Sequence, residues 1–140
     1  MAHSNNDLLR FLDAQNKLYL TALSEIKKGK KETHWMWFIF PQIAGLGSSA
    51  AAREFAIVSA DEAAAYLAHP LLGKRLRDCS ALVLAIGNKQ AADIFAAPDD
   101  LKFHSSMTLF ADVAPDEAVF QDCINKFFGG ESDPATVDAL

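Results

Sequence analysis

A chain of 140 residues, 51% of them hydrophobic, has the material for one domain with its own core and needs neither metal nor disulfide staples. With 18 acidic and 13 basic side chains its formal net charge is −5, which argues against duplex nucleic acid or an anionic membrane as the main partner. No apolar run approaches the roughly 20 residues of a membrane span, no basic leader with an apolar stretch is present, and Cys79 and Cys123 sit far apart among apolar residues as free thiols, so the expected setting is the cytoplasm.

Residues 1–5 read as a flexible tail and residues 6–140 as the domain. Asn6 or Asp7 is the expected cap of a first helix running to about Lys28. Its apolar stripe is Leu8, Phe11, Leu12, Leu18, Tyr19, Ala22, Leu23 and Ile26, at three- and four-residue spacing. Gln15 falls within that stripe, and a buried amide needs partners, so a core hydrogen bond is expected there rather than a ligand contact. Lys27, Lys28 and Lys30 suit the negative end of the helix dipole, and Gly29 is a natural stop.

The stretch Thr33–Ser48, THWMWFIFPQIAGLGS, follows. Its apolar run Trp35–Phe40 is too short for periodicity to separate a buried strand from a helical turn. Pro41 disfavours the α region at Phe40 and so predicts an extended exit. A loop and a short apolar element near Phe55–Val58 come next. Ser59 and Glu62 are spaced as a capping box for a helix to about Ala68. His69-Pro70 breaks the chain before a helix over about Leu71–Ile86 and a short one over Lys89–Phe95. Asp99 or Asp100 is placed to cap a helix over Leu101–Asp112, and Pro115-Asp116-Glu117 opens another that ends near Phe128. Asp133, with Pro134 at the first helical position, starts a last turn. The expectation is a mainly α, compact domain of about seven helices with one or two short strands.

Familiar catalytic signatures are missing. GLGSSA lacks the spacing and the Lys-Ser/Thr of a phosphate loop, and the four histidines show no metal-like spacing, so neither metal nor cofactor is expected. Two clusters carry directional chemistry. In the first, Trp35 and Trp37 offer planes for stacking, His34, Gln42 and Ser48 offer hydrogen bonds, and Arg53 suits a phosphate. In the second, Lys102, Ser105, Ser106, His104 and Thr108 follow a helix start, where N–H groups, hydroxyls and an ammonium suit an anion. Each set has a plainer use, as core and polar collar in the first and as caps in the second. Lys126 and Asp133 flank Gly129-Gly130 and are expected to form an ion pair.

HWMWFIFPQIAGLG, the Arg53–Ile57 segment, LAHPLLGKRL, FAAPDDLKFHSSMTLF and KFFGGESDPAT together resemble the bacterial family of unknown function DUF1810, over nearly the whole chain. That resemblance implies a compact, mostly helical domain and brings no established activity. A fainter likeness, in Ser106-Met107, Lys126-Phe127 and the following Gly/Asp/Thr turn, is to the NADAR or YbiA-like fold, which acts on ADP-ribose-type substrates through N-glycosidic chemistry. It implies Glu54 as the nearest candidate for a catalytic carboxylate, with Asp133 second. The leading expectation is therefore a nucleotide-like or ADP-ribose-like ligand held between the two clusters, its N-glycosidic bond hydrolysed with Glu54 as general acid or water-orienting group. Lys102 and Arg53 then neutralise phosphate, and Trp35 or Trp37 stacks on the base. The alternative is a non-enzymatic binding or interaction domain, monomer or homodimer, with its tryptophans at a contact surface.

Overall fold

The computed structural model describes residues 3–140, with side chains from Leu8 onward. Its helices are α1 (His3–Lys28), α2 (Met36–Ile39), α3 (Ala50–Glu54), α4 (Ala60–Ala68), α5 (Leu72–Leu84), α6 (Ala91–Phe95), α7 (Asp99–Val113), α8 (Ala118–Phe127) and α9 (Pro134–Ala139). Among the described residues there is no strand, only an isolated parallel bridge between Ile43 and Ile57. The two helices beyond the expected seven are α2 and α3, single turns in the segments read as strand or loop.

The centre of the molecule is α7. Every residue from Ser105 to Phe110 is buried, as is Phe103, so this helix shows little of the one-sided polarity of a surface helix. It packs against α4, α6, α8 and α9, while the stripe of α1 meets α2, α4 and α5. A ring cluster joins the layers: Phe103 contacts Phe40 edge-on at 5.0 Å and Phe95 stacked at 4.8 Å. Gln15 works as expected, its amide donating to Phe38 O (2.7 Å) and the Tyr66 hydroxyl (3.0 Å) while Arg75 donates to its oxygen (3.2 Å).

The Trp35–Phe40 run resolves as the turn α2, and Phe40 leaves it at φ −126°, ψ 76°, outside the α region that Pro41 disfavours. Several expected caps are different. The first helix already includes His3, so neither Asn6 nor Asp7 is its N-cap; residues 1 and 2 of the expected tail lie outside the described residues. Ser59 caps α4 through Glu62 N–H (3.2 Å), but the Glu62 carboxylate turns to Val58 N–H (3.0 Å) and Arg10, so only half the box forms. Pro98 occupies the N-cap position of α7, and both aspartates sit in its first turn.

One buried charge organises the entry to α2. The Glu25 carboxylate accepts from Glu32 N–H (2.7 Å), Thr33 N–H (2.9 Å), Thr33 Oγ1 (2.7 Å) and Trp35 Nε1 (2.8 Å). Burial alone would raise its pKa, but those donors outweigh it and bring the carboxyl down to about 2. Its group thus ties the end of α1 to the tryptophan that starts the aromatic run.

Candidate functional site

Trp35 and Trp37 stand two residues apart on a helical turn, hence about 200° apart around it. Trp35 therefore faces the core, fully buried, with its N–H on Glu25. Trp37 faces the other way, half-buried, into an open cleft of about 270 Å³. The cleft is lined by Trp37, Gln42, Leu46, Gly47, Pro98, Leu101, Lys102, Ser105, Asp133 and Ala135. Two segments distant in sequence, 37–47 and 98–105, thus face each other there, and the start of α9 closes one side.

The polar groups are held by different means. Gln42 has its backbone fixed by the Ile57 N–H (2.8 Å), and Ala44 N–H donates to Ile57 O (2.8 Å), so the bridge pins this wall. Its amide nitrogen is buried with no hydrogen-bond partner among the described residues, which costs about 1–3 kcal/mol unless something supplies an acceptor. Lys102 places its ammonium 4.0 Å from the Trp37 ring centroid and 2.9 Å from Asp99 Oδ1. Asp99 also takes Lys31 (2.8 Å). Burial pushes the Asp99 pKa up, but the two ammonium groups prevail and hold it below the usual carboxylate range.

Asp133 is the carboxylate of the cleft. Its Oδ2 accepts from Thr136 Oγ1 (2.6 Å), Thr136 N–H (3.2 Å) and the Ser105 hydroxyl (2.9 Å), which also lies 3.1 Å from Leu101 O. Its N–H donates to Thr108 Oγ1 (2.9 Å). One aspartate thereby caps α9, as its pairing with Pro134 predicts, and locks that helix to α7. Oδ1 has no hydrogen bond among the described residues.

The expected site residues divide clearly. Trp37, Gln42, Lys102 and Ser105 come together in the cleft. Trp35 is enclosed by the core and cannot stack on a ligand. His34, Ser48 and Arg53 are exposed and outside the cleft lining. Glu54 is also exposed, and it borders a separate depression with Arg10, Asp13, Lys17 and Phe38, so the catalytic role expected of it has no cavity shared with either tryptophan. Ser106 is fully buried and does not line the cleft, because its position on α7 turns it inward. His104 stacks on Phe128 (4.0 Å, 6°) and meets Glu131 O at 2.6 Å, a structural use. The expected Lys126–Asp133 pair is not made: Lys126 reaches Leu84 O (2.5 Å) and Ile86 O (2.6 Å) instead.

Sequence reasoning ranked Asp133 only second to Glu54 as a site carboxylate, and it missed the apolar floor of Leu46, Pro98, Leu101 and Ala135. Asp133 carried a visible signal, a cap before Pro134, but a cap signal does not tell that the residue lines a cleft. Among the described residues no three His, Cys, Asp or Glu side chains group as metal ligands would, and no helix is long and apolar enough to cross a membrane.

Comparison with known proteins gives a consistent picture. The crystal structure at 1.38 Å of the conserved hypothetical protein Rv1873 from Mycobacterium tuberculosis is similar at a TM-score of 0.94 and 46% sequence identity, over 96% of both chains. None of the curated proteins matches. The fainter likeness to the NADAR fold finds no support among these comparisons. The model of the family described as "Protein of unknown function (DUF1810)" matches residues 5–140, and with nearly the whole chain covered, this protein belongs to the DUF1810 family.

Proposed function

We propose that the cleft is a binding site for a small ligand of nucleoside size, a flat or puckered ring carrying hydroxyl and amide edges. The observation that carries this reading is the Gln42 amide, buried and unpartnered on the wall of a cavity whose other polar groups are Lys102, Ser105 and Asp133. With the Gln42 side chain turned toward the cleft, a ligand oxygen recovers the cost of that orphan donor, a ligand hydroxyl donates to Asp133 Oδ1, and Leu46, Pro98, Leu101 and Ala135 pack on the ring.

Size and charge narrow the ligand. The volume of about 270 Å³ lies just below the roughly 300–1,000 Å³ of drug-sized pockets, which suits a nucleoside better than a whole ADP-ribose. Among the described residues the one cation lining the cleft, Lys102, is already paired with Asp99 and shares the lining with the Asp133 carboxylate, so a polyphosphate gains little. N-glycosidic cleavage, if the ligand is turned over, falls to Asp133 rather than Glu54, since Asp133 is the carboxylate that borders the cavity.

Thermal-shift and Trp-fluorescence titration with a panel of nucleosides, free bases, ADP-ribose and NAD tests this. A nucleoside should raise Tm and change Trp37 emission, Gln42→Leu should abolish both responses, and Glu54→Gln should leave them intact. Release of free base from the bound nucleoside, lost in Asp133→Asn, marks an enzyme; binding without release marks a binding domain. No response to any nucleoside, or a response unaltered in Gln42→Leu, overturns the reading.

A further inference from the structure

A second cavity lies away from the cleft, between the loop before α6 and the end of α8. It measures about 540 Å³ and is lined by Asn88, Lys89, Gln90, Asn125, Lys126 and Phe127 together with Gly129. Lys89 also borders an adjoining depression of about 290 Å³ with Lys27 and Lys28. Neither lining contains an acidic side chain.

The way the two central lysines are anchored is what matters. Lys126 Nζ donates to the carbonyls of Leu84 (2.5 Å) and Ile86 (2.6 Å), and Lys89 Nζ donates to the carbonyl of Gly29 (2.9 Å). Each ammonium has three N–H donors, so Lys126 keeps one free and Lys89 two. Among the described residues no carboxylate lies within ion-pair distance of Lys27, Lys28, Lys89 or Lys126. Asp93 is engaged with Gln90 N–H at the start of α6 (2.9 Å). The carbonyls belong to the C-terminal ends of α1 and α5, and each helix end supplies about −0.5 charge. Two such ends offset only about one of four positive charges. In a chain of net charge −5, and with Asp93 offsetting at most one more charge, this end is a local excess of cations without ion-pair partners among the described residues.

We infer that this cavity binds a phosphorylated small molecule. Lys89 and Lys126 hold the phosphate oxygens with the N–H groups their carbonyl anchors leave free. The amides of Asn88, Gln90 and Asn125 bond the rest of the molecule, and Phe127 supplies apolar contact. Asn125 is already oriented, its oxygen accepting from Gln121 (3.0 Å), which leaves its NH₂ group to donate. Lys27 and Lys28 add field from the neighbouring depression and draw anions toward the site. This site shares no lining residue with the Trp37 cleft and stands or falls apart from it.

Titration of the ¹⁵N-labelled protein with pyrophosphate and with ADP, with adenosine as uncharged control, tests the proposal. Amide shifts are expected at 88–90 and 125–130 with both anions and not with adenosine. Lys89→Gln should weaken ADP binding about tenfold or more, the effect of losing one hydrogen bond to a charged group. Lys89→Arg, which keeps the charge, should stay within about threefold and separates loss of charge from loss of fold. Gln42→Leu in the other cleft should change nothing here. No shifts up to about 10 mM pyrophosphate, a range weaker than about −3 kcal/mol of binding, overturns the proposal, as does equal affinity of Lys89→Gln. A short single-stranded RNA binding about a hundredfold tighter than ADP also overturns it, since the surface then serves a polymer.

Discussion

Two pairs of lysines in this molecule are held in opposite ways. Beside the cleft, Lys31 and Lys102 share the Asp99 carboxylate, which offsets one of their two charges, and Asp133 in the cleft lining supplies a second negative charge. At the other end, Lys89 and Lys126 are held by backbone carbonyls, which fix an ammonium without cancelling it. The first arrangement builds a surface for neutral ligands, and the second leaves charge available to an outside anion. Glu25 shows the same logic with the sign reversed and the group buried: four neutral donors hold a carboxylate that no cation neutralises. What a charged residue does here depends less on its identity than on whether dipoles or an opposite charge restrain it.

The largest effect expected from disturbing this pattern is at Glu25. Glu25→Ala strands the Trp35 N–H and the backbone donors of Glu32 and Thr33, and should cost about 4 kcal/mol in urea unfolding. The wild-type protein should show the same group in acid. Its folded pKa of about 2 lies below the ordinary 4.5, so the unfolded chain takes up the proton first as pH falls. The stabilisation is complete above about pH 4.5 and disappears toward pH 2, with about 3 kcal/mol at stake. A Glu25→Gln protein should lose much of that pH slope; an unchanged slope would place the acid-sensitive group elsewhere.

Next in size is Asp99→Asn, expected to cost about 2 kcal/mol, less than a fully buried pair because Asp99 keeps 20% of its side-chain surface exposed. The loss should come chiefly from Lys31, whose side chain is only 7% exposed and is left charged without a counter-ion. Adding Lys31→Met should therefore recover part of the stability. If the double variant is less stable than Asp99→Asn, the ion pair is not what restrains Lys31. Lys126→Met should cost about 1 kcal/mol, the value of a cation on two exposed helix-end carbonyls.

These contrasts explain how much could be read in advance. Trp37, Gln42, Lys102 and Ser105, which line one cleft, were legible as candidates because directional polar groups beside a ring or an apolar run are a local pattern. Trp35 was indistinguishable from Trp37 in composition, and only the choice of helical turn over strand sends them to different sides. Glu54 followed from a resemblance and not from a contact, and its helix turns it to solvent. Glu25 was passed over because a carboxylate beside an apolar stripe reads as solvent face; its partners, seven to ten residues on, arrive only when the chain doubles back after Gly29. Lys89 raised no signal and Lys126 suggested the wrong partner, since their acceptors are backbone carbonyls 60 and 40–42 residues away, which no side-chain pattern announces.

The smallest effect separates the two lysine environments most sharply. Lys89→Gln removes one part-buried bond to Gly29 O, worth about 0.5 kcal/mol. It also removes repulsion from Lys27 and Lys28, which border the same depression. That repulsion reaches about 30 Å in 0.01 M salt but only about 3 Å in 1 M. At low salt the two terms should cancel, and the variant should be as stable as the parent protein or slightly more so. At high salt only the lost bond remains, and the variant should fall about 0.5 kcal/mol below it. Asp99→Asn should follow salt in the opposite direction and far more weakly, its cost falling slightly as salt rises, because it removes an attraction between partly buried and poorly screened ions. A salt slope of the same sign for the two variants would mean that Lys89, like Lys31, is held by an opposite charge, and that the carbonyl anchors leave no charge for an anion to meet.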